Sequence, residues 1–459
     1  MSNSVSQPVS GKIFLWSVTS ALAGFLFGFD TVVISGAEKT IQTLWQLDDK
    51  MHGLLMGIAL WGTVVGALTG GWPTDKLGRK LTLLIIGVLY VISALGCAFA
   101  PDVYSLMIAR FIGGLGIGMS TIAAPLYISE IAPPERRGLL TGMFQFNIVF
   151  GILVAYASNA ALAGFGDHAW RWMLGVPAIP SLIYAVMCLT IPESPRWLIG
   201  RKNDRAAGLR TLAEIYPGAS KQELEQKADV IGAAAHENSS AGGFWSMRLR
   251  VPIMLAFLVA FFNQLSGINA ILYFAPRIFE WTGLAAQAAL LTSIGIGVTN
   301  LIFTFAGLWL IDRVGRRTLL YIGSFGYIVS LGLCAWAFFS GNFGIVPVCI
   351  FAFIAAHAVG QGAVIWVLIS EVFPSRHRAE GQALGSSTHW VFAALLTSFF
   401  PWMIDVTNAE REPSHAGYIF SFFAIMMVLQ LVWVKFMVPE TKGRTLEDIE
   451  AQLCGPDSR

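Results

Sequence analysis

Asp75-Lys76-Leu77-Gly78-Arg79-Lys80 and Asp312-Arg313-Val314-Gly315-Arg316-Arg317 are one charged turn written twice, each wedged between long apolar runs. Working outward, Ser129-Glu130-Ile131-Ala132-Pro133, followed by Arg137 and Gly138, returns as Ser370-Glu371-Val372-Phe373-Pro374, followed by Arg378 and Gly381. Pro192-Glu193-Ser194-Pro195-Arg196 closes the first set and Pro439-Glu440-Thr441-Lys442-Gly443-Arg444 the second. Three pairs at similar offsets imply a membrane unit duplicated in parallel, a recurring architecture of bilayer proteins.

Hydrophobic residues make up 55% of the 459, charged residues 13%, and the mean hydropathy is +0.64. A soluble globular domain carries about 25% charge, so that class is excluded. A span needs roughly 20 apolar residues. Runs of this kind fall at about 13–36, 52–72, 81–100, 104–127, 139–160, 171–191, 251–279, 286–310, 318–339, 345–370, 381–404 and 415–437. The expected fold is an all-α membrane protein with twelve transmembrane helices in two six-helix pseudo-repeats and short cytoplasmic helices between them. Its parts are an N-terminal bundle (1–195), a cytoplasmic helical linker (196–250), a C-terminal bundle (251–438) and a cytoplasmic tail (439–459).

Cytoplasmic loops are enriched in Lys and Arg. With both termini cytoplasmic, only Lys39, Lys50, Arg171, Arg277 and Arg411 of the thirty basic residues fall outside, and Arg110 falls inside a span. The first apolar run continues into Gly28-Phe29-Asp30 without a small-residue cleavage site and reads as a span. Within the linker, Asp204 to Ile215 and Lys221 to Ala235 have helix-forming composition, Pro217-Gly218 breaks them, and Glu237 to Gly243 is expected to be flexible. The sequon Asn238-Ser239-Ser240 lies in this cytoplasmic stretch, so glycosylation is not expected. Cys97, Cys188, Cys334, Cys349 and Cys454 form neither a disulfide framework nor a zinc spacing. The net charge of +2 follows from topology and implies no nucleic-acid partner.

Polar residues inside the runs point to function. A carboxylate at Asp30 costs about 2.5–3.5 kcal/mol on insertion scales, and Arg110 is its natural partner. Burial and the cation pull its protonation in opposite directions, which suits a proton-coupling site; a permanent ion pair pinning two helices is the plainer alternative. Asn263, Gln264, Asn269 and Tyr273 crowd the seventh run. Gln264 and Asn269 share a face only if Gly267 loosens the helix between them. Amides donate and accept as sugar hydroxyls do, although interhelical hydrogen bonding explains a lone amide equally well. Gln145, His389, Trp366 and Trp390 extend the list, an aromatic face being a seat for a pyranose.

Gly113, Gly114, Gly116 and Gly118 lack the strand and the later glycine of a dinucleotide fingerprint and read as a close-packing surface. His52, His168, His236, His377 and His415 take no role; His357 is open to lining a solvated cavity or to buried hydrogen bonding, the second being the plainer reading. Asp75, Arg79, Glu130, Arg137 and Glu193, with Asp312, Arg316, Glu371, Arg378 and Glu440, stand at cytoplasmic helix ends where acids and arginines form networks that latch an inner gate in one state.

These motifs resemble the sugar porter family of the major facilitator superfamily across essentially the whole chain. The strongest are Pro192 to Leu198, Pro439 to Arg444 and Gln264-Leu265-Ser266-Gly267-Ile268-Asn269. The resemblance implies a central cavity between two halves that rock in alternating access. It also implies that Phe27, Gln145, Asn263, Gln264, Asn269, Tyr273, Gly362, Trp366, His389 and Trp390 contact sugar. Asp30 and Arg110 match the coupling Asp and its Arg in bacterial proton symporters of the family. Three positions depart from its pattern: Asn263 replaces a Gln, His389 a Gln or Asn, and Ala363 a Pro.

The resulting expectation is a proton-coupled symporter for a hexose or pentose of the D-glucose or D-xylose class. It would be no enzyme, would use no cofactor or metal besides the coupling proton, and would sit as a multi-pass monomer in a bacterial inner membrane bilayer. A facilitative uniporter and a non-transporting sugar sensor are the alternatives, the second disfavoured by the short stretch after the last run.

Overall fold

In hydrocarbon a backbone N–H or C=O finds no water, so an apolar run satisfies itself as a helix. The computed structural model describes residues 11–133, 136–236, 244–374, 377–404 and 412–454, and its long elements are helical. The first repeat contributes α1 (Gly11–Val33), α2 (Asp49–Thr69), α3 (Arg79–Ala98), α4 (Val103–Ile131), α5 (Arg137–Leu162) and α6 (Ala178–Thr190). The second contributes α7 (Arg250–Leu265), α8 (Ile268–Trp281), α9 (Ala286–Val314), α10 (Arg316–Ser340), α11 (Val346–Val359), α12 (Gln361–Val372), α13 (Arg378–Ile404) and α14 (His415–Met437). The sequon Asn238-Ser239-Ser240, the stretch 237–243 and Arg411 lie outside the described residues.

Eleven segments among the described residues are long and apolar enough to cross a membrane. The run read as 381–404 folds as α13 but is not one of them, because Ser386, Ser387, Thr388 and His389 dilute its hydropathy. The outward faces are apolar where lipid would lie. On α6, for example, Ile179, Leu182, Ile183, Val186 and Leu189 are all exposed.

Helix pairing repeats as the motifs do. α1 packs on α5, α2 on α4, α3 on α4 and α3 on α6; in the second half α7 packs on α13, α9 on α11, α10 on α11 and α10 on α14. The two halves meet mainly through α2 against α13 and α5 against α9, and the repeat relation carries one of these contacts into the other. Between the repeats, helices at Arg205–Ile215 and Lys221–His236 lie close to their expected bounds, with the Asp204 side chain accepting from Ala207 N at 3.0 Å as an N-cap.

The duplicated turn has a physical cause. Helices α3 and α10 start with unpaired backbone N–H groups, and a carboxylate seated there satisfies them and the helix dipole together. Glu193 Oε1 accepts from Arg79 N (2.9 Å) and Lys80 N (3.2 Å); Glu440 accepts from Arg316 N (3.0 Å) and Arg317 N (3.1 Å). The residue before each helix is glycine at φ +95° (Gly78) or +102° (Gly315). A Cβ there would lie 2.3 Å from Glu193 Oε2 or 2.5 Å from Glu440 Oε2.

The glycines of α4 are packing surface, as read. A Cβ on Gly114 would stand 1.9 Å from the Ala59 carbonyl of α2, and one on Gly118 2.3 Å from the Thr63 carbonyl. Gly114→Val should therefore force α2 and α4 apart and destabilise the protein by at least about 1–3 kcal/mol. Gly138→Ala, at a site with nothing within 4 Å, should leave the melting temperature in detergent unchanged. Equal melting temperatures for both variants would contradict this account of the α2–α4 contact.

Candidate functional site

Polar side chains gather where two helices of the second half break. Between α7 and α8, Gly267 takes a left-handed conformation (φ +85°, ψ +10°), and a Cβ on it would stand 2.4 Å from the Phe423 ring. The backbone is satisfied through the break, with Gly267 N donating to Gln264 O at 2.9 Å and Ser266 Oγ to Asn263 O at 2.6 Å. Between α11 and α12 the chain leaves helical geometry at Gly360 (φ −86°, ψ −98°), whose Cα lies against Gly323.

The first break does what the spacing of Gln264 and Asn269 required: Asn269 Nδ2 donates to Gln264 Oε1 at 2.6 Å. Gln264 is the hub. Its Nε2 donates to Asn263 Oδ1 at 2.9 Å and stands 3.2 Å from both ring nitrogens of His389. Asn263, buried like Gln264, donates to Gln361 Oε1 at 3.3 Å. It thus buttresses Gln264 within the same cluster. Gln361 escaped the sequence reading; its one signal was an amide directly after Gly360.

Aromatic rings continue the cluster toward the first half. Trp366 and His389 stand 5.2 Å apart between centroids, His389 and Trp390 4.7 Å, and Trp390 and Phe27 of α1 5.5 Å. Gln145 on α5, Asn269, Gly362, Trp366 and His389 remain partly exposed, whereas Gln264, Tyr273 and Trp390 are buried. His357 has the plain role expected of it, with Nδ1 2.7 Å from the Tyr327 hydroxyl.

Asp30 and Arg110 pair as expected. Arg110 Nη1 donates to Asp30 Oδ1 and to the Asp30 backbone oxygen, both at 3.0 Å, and the residues are 1% and 6% exposed for Arg110 and Asp30. The pair is incompletely satisfied: Asp30 Oδ2, Arg110 Nε and Arg110 Nη2 make no hydrogen bond among the described residues. A Cβ on Gly113 would lie 2.4 Å from Ser93 Oγ and 3.4 Å from Asp30 Oδ2, so glycine here makes room for Ser93 beside the carboxylate. Tyr273 lies one turn beyond Asn269 on α8, which packs against α1.

The charged helix ends form two matched networks. Arg79 holds Glu130 with two bonds (2.9 and 3.0 Å) and reaches Asp75 at 3.5 Å; Arg316 holds Glu371 at 2.9 Å and Asp312 at 3.1 Å. Thr441 Oγ1 completes the second network on Glu371 Oε2 at 2.6 Å. The side chain of Arg137 lies outside the described residues, and Arg378 stands half-buried in the matching place. Each network closes within its own half, and among the described ion pairs none latches one half to the other at this end. At the opposite end the halves touch closely. A Cβ on Gly53 of α2 would stand 1.9 Å from the Ser398 carbonyl of α13.

The sequence model of a family described as "Sugar (and other) transporter" matches residues 16–453. The arabinose-proton symporter of Bacillus subtilis (strain 168) is 36% identical over 451 residues, covering 96% of this chain and 95% of the relative. The D-xylose-proton symporter of Escherichia coli (strain K12) is 33% identical over 490 residues, covering 99% and 98%. A solved structure, the inward open conformation of the xylose transporter XylE from E. coli, matches with a TM-score of 0.84 and 30% identity over 96% of this chain and 100% of that one.

A buried charge deprived of its partner is strongly destabilising, whereas replacing both charges is tolerated. Arg110→Met should cost about 3–5 kcal/mol by stranding Asp30. Adding Asp30→Asn to Arg110→Met should recover at least about half of that loss, read as melting temperature in detergent. Additive losses would show that the two side chains do not interact.

Proposed function

The chain belongs to the sugar transporter family, and from that premise we propose that it is a proton-coupled monosaccharide symporter. Its substrates would be hexoses or pentoses of the D-glucose and D-xylose class, carried by alternating access. The observation that carries this reading is the buried, half-satisfied Asp30–Arg110 pair on α1 and α4, with α1 packed against α8, the helix that bears Asn269. Protonating Asp30 removes the charge that holds Arg110 Nη1, so a proton loosens the contact between α1 and α4. The amide cluster and that contact are then linked through α8.

In this reading Gln264, Asn269, Gln145 and His389 offer donors and acceptors to sugar hydroxyls. Trp366, Trp390 and Phe27 face the apolar side of the ring, Gly362 leaves room, and Asn263 with Gln361 holds Gln264 in place. Histidine at 389 contributes a ring nitrogen whose donor or acceptor role follows its tautomer, so it bears directly on which hydroxyl pattern is preferred. The relatives named above are called arabinose-proton and D-xylose-proton symporters, which supports extending proton coupling to this chain.

We place both termini at the cytoplasmic face of a bacterial inner membrane and count twelve spans, α7 with α8 and α11 with α12 each making one and α13 completing the set. The bundles 1–195 and 251–438 rock against each other as a monomer, with the linker 196–250 and the tail 439–459 on the cytoplasmic side. The conformation is inward-facing: the far end is shut by Gly53 against Ser398, and the charged networks at the termini-bearing end stay within their own halves.

One charge moved down 100 mV supplies about 2.3 kcal/mol, enough to concentrate a sugar roughly 50-fold. In proteoliposomes with an imposed inward proton gradient, the wild type should accumulate radiolabelled D-glucose or D-xylose. Asp30→Asn should abolish accumulation while leaving sugar exchange intact. Equilibration without accumulation by both proteins would leave a uniporter in which the ion pair only joins two helices.

A further inference from the structure

The far end of the bundle holds a charged cluster that neither sugar contact nor proton coupling employs. Glu38 opens the short helix Glu38–Leu44 beyond α1, His52 lies in the first turn of α2, and Arg277 lies near the end of α8. All three are almost fully buried, at 1%, 0% and 1% exposure. Arg277 Nε stands 2.9 Å from Glu38 Oε1, the other Glu38 oxygen stands 2.9 Å from His52 Nε2, and Arg277 Nη1 donates to Gln42 Oε1 at 2.6 Å. Glu38, Gln42 and His52 belong to the first repeat and Arg277 to the second, so this cluster joins the two halves.

Its surroundings exclude water. Phe274, one turn before Arg277, sets its ring edge-on to His52 with centroids 5.8 Å apart, and Phe400 of α13 covers Phe274 at 4.8 Å. Burial pushes the Glu38 carboxyl up, but the Arg277 guanidinium, with His52 and Lys39, more than offsets this and holds it below the usual carboxylate value. Glu38 is therefore an anion in this state, and its cation comes from across the interface.

A buried ion pair is favourable only while its partners stay together; once separated in a dry interior, each is an uncompensated charge. When the halves part at this end, both groups meet water instead. An interaction made in only one of two states sets their ratio. We propose that Glu38, Arg277 and His52 form a latch that holds the far side shut in the inward-facing state, which makes them positioning residues of the transport cycle. This rests on the alternating-access reading and adds to it a gate built from residues of this chain. Asn269, Tyr273 and Arg277 stand four residues apart on one face of α8. The latch thus shares a stripe with the amide proposed to face the sugar.

The test is pulsed electron paramagnetic resonance on the full-length protein in lipid nanodiscs without sugar. Nitroxides go on Phe165→Cys and Asn342→Cys, exposed far-end positions in opposite halves, with Cys454→Ser removing the partly exposed native thiol. With the latch intact, short distances should dominate. Glu38→Gln and Arg277→Met should each raise the ratio of long to short distances about tenfold or more, the equivalent of about 1.4 kcal/mol. Exchanging the charges, Glu38→Arg with Arg277→Glu, should bring the ratio back toward its starting value, which a merely disrupted fold would not do. Lys12→Gln, which removes an exposed pair to Glu214 at 3.1 Å at the opposite end, should change the ratio less than about twofold. Single variants that keep the starting distribution, or an exchanged pair that fails to restore it, would overturn the latch. Since no sugar is present, failure of the symport reading is seen separately, in the uptake assay.

Discussion

A backbone inside hydrocarbon has no solvent to pair with, and the polar site of this protein exists because two helices break that rule in controlled places. At Ser266-Gly267 the freed groups are taken up locally, Ser266 Oγ donating to the Asn263 carbonyl and Gly267 N to that of Gln264. The break also changes the phase of the helix. Gln264 and Asn269, five apart and off-register on an unbroken helix, come within 2.6 Å. A second break at Gly360 brings Gln361 against Asn263, so the amides of two interrupted helices buttress one another. Remove the breaks and the same side chains would point to different neighbours.

Duplication supplied the frame, and divergence supplied the work. Glu193 on α3 and Glu440 on α10 seat on equivalent helix starts, and Arg79 with Glu130 is echoed by Arg316 with Glu371. These contacts satisfy backbone donors and hold each half rigid, a need both halves share. The functional groups are not shared. The interrupted helices and the amide cluster belong to the second half, where α1 and α4 of the first half run unbroken in the matching places. The buried Asp30–Arg110 pair belongs to the first. In the proposed cycle the two ligands engage different halves, the amide cluster lying in the second and the titratable charge in the first.

The fold was legible because its signals are local: apolar runs became helices, Asp204 became an N-cap, and the glycines of α4 became a packing surface. The exception, α13, is a helix whose inward face is polar enough to lower its hydropathy, and that same polarity brings His389 to the site. Asp30 and Arg110 could be paired from sequence because a charge within a span needs a partner and few were available. Glu38, His52 and Arg277 could not. Counting basic residues assigns Arg277 to an exterior loop, and a histidine at a span end looks solvated; only folding brings the second half's Arg277 against the first half's Glu38 and seals both away. Gln361 was missed for a related reason, since only folding brings it against Asn263, nearly a hundred residues away in the chain.

Alternating access needs two states of nearly equal free energy, separated by a few kcal/mol at most, so that modest ligand interactions decide between them. A large apolar interface between the halves would fix one state too firmly. This chain instead closes its far end with close backbone contact, as at Gly53 against Ser398, and with a buried ion cluster. The net contribution of such a cluster is small because desolvation offsets most of the Coulomb attraction. That offset is what makes it suitable. The cluster is specific in geometry, strongly unfavourable when only one partner is present, and close to neutral when both partners either pair in the dry interior or hydrate in water. The Asp30–Arg110 pair follows the same logic at the bilayer's depth, with unfilled hydrogen-bonding capacity on both side chains. In the proposed cycle these two buried charge pairs, one within a half and one between halves, are the places where a proton or a change of contact would tip the balance without rebuilding the core.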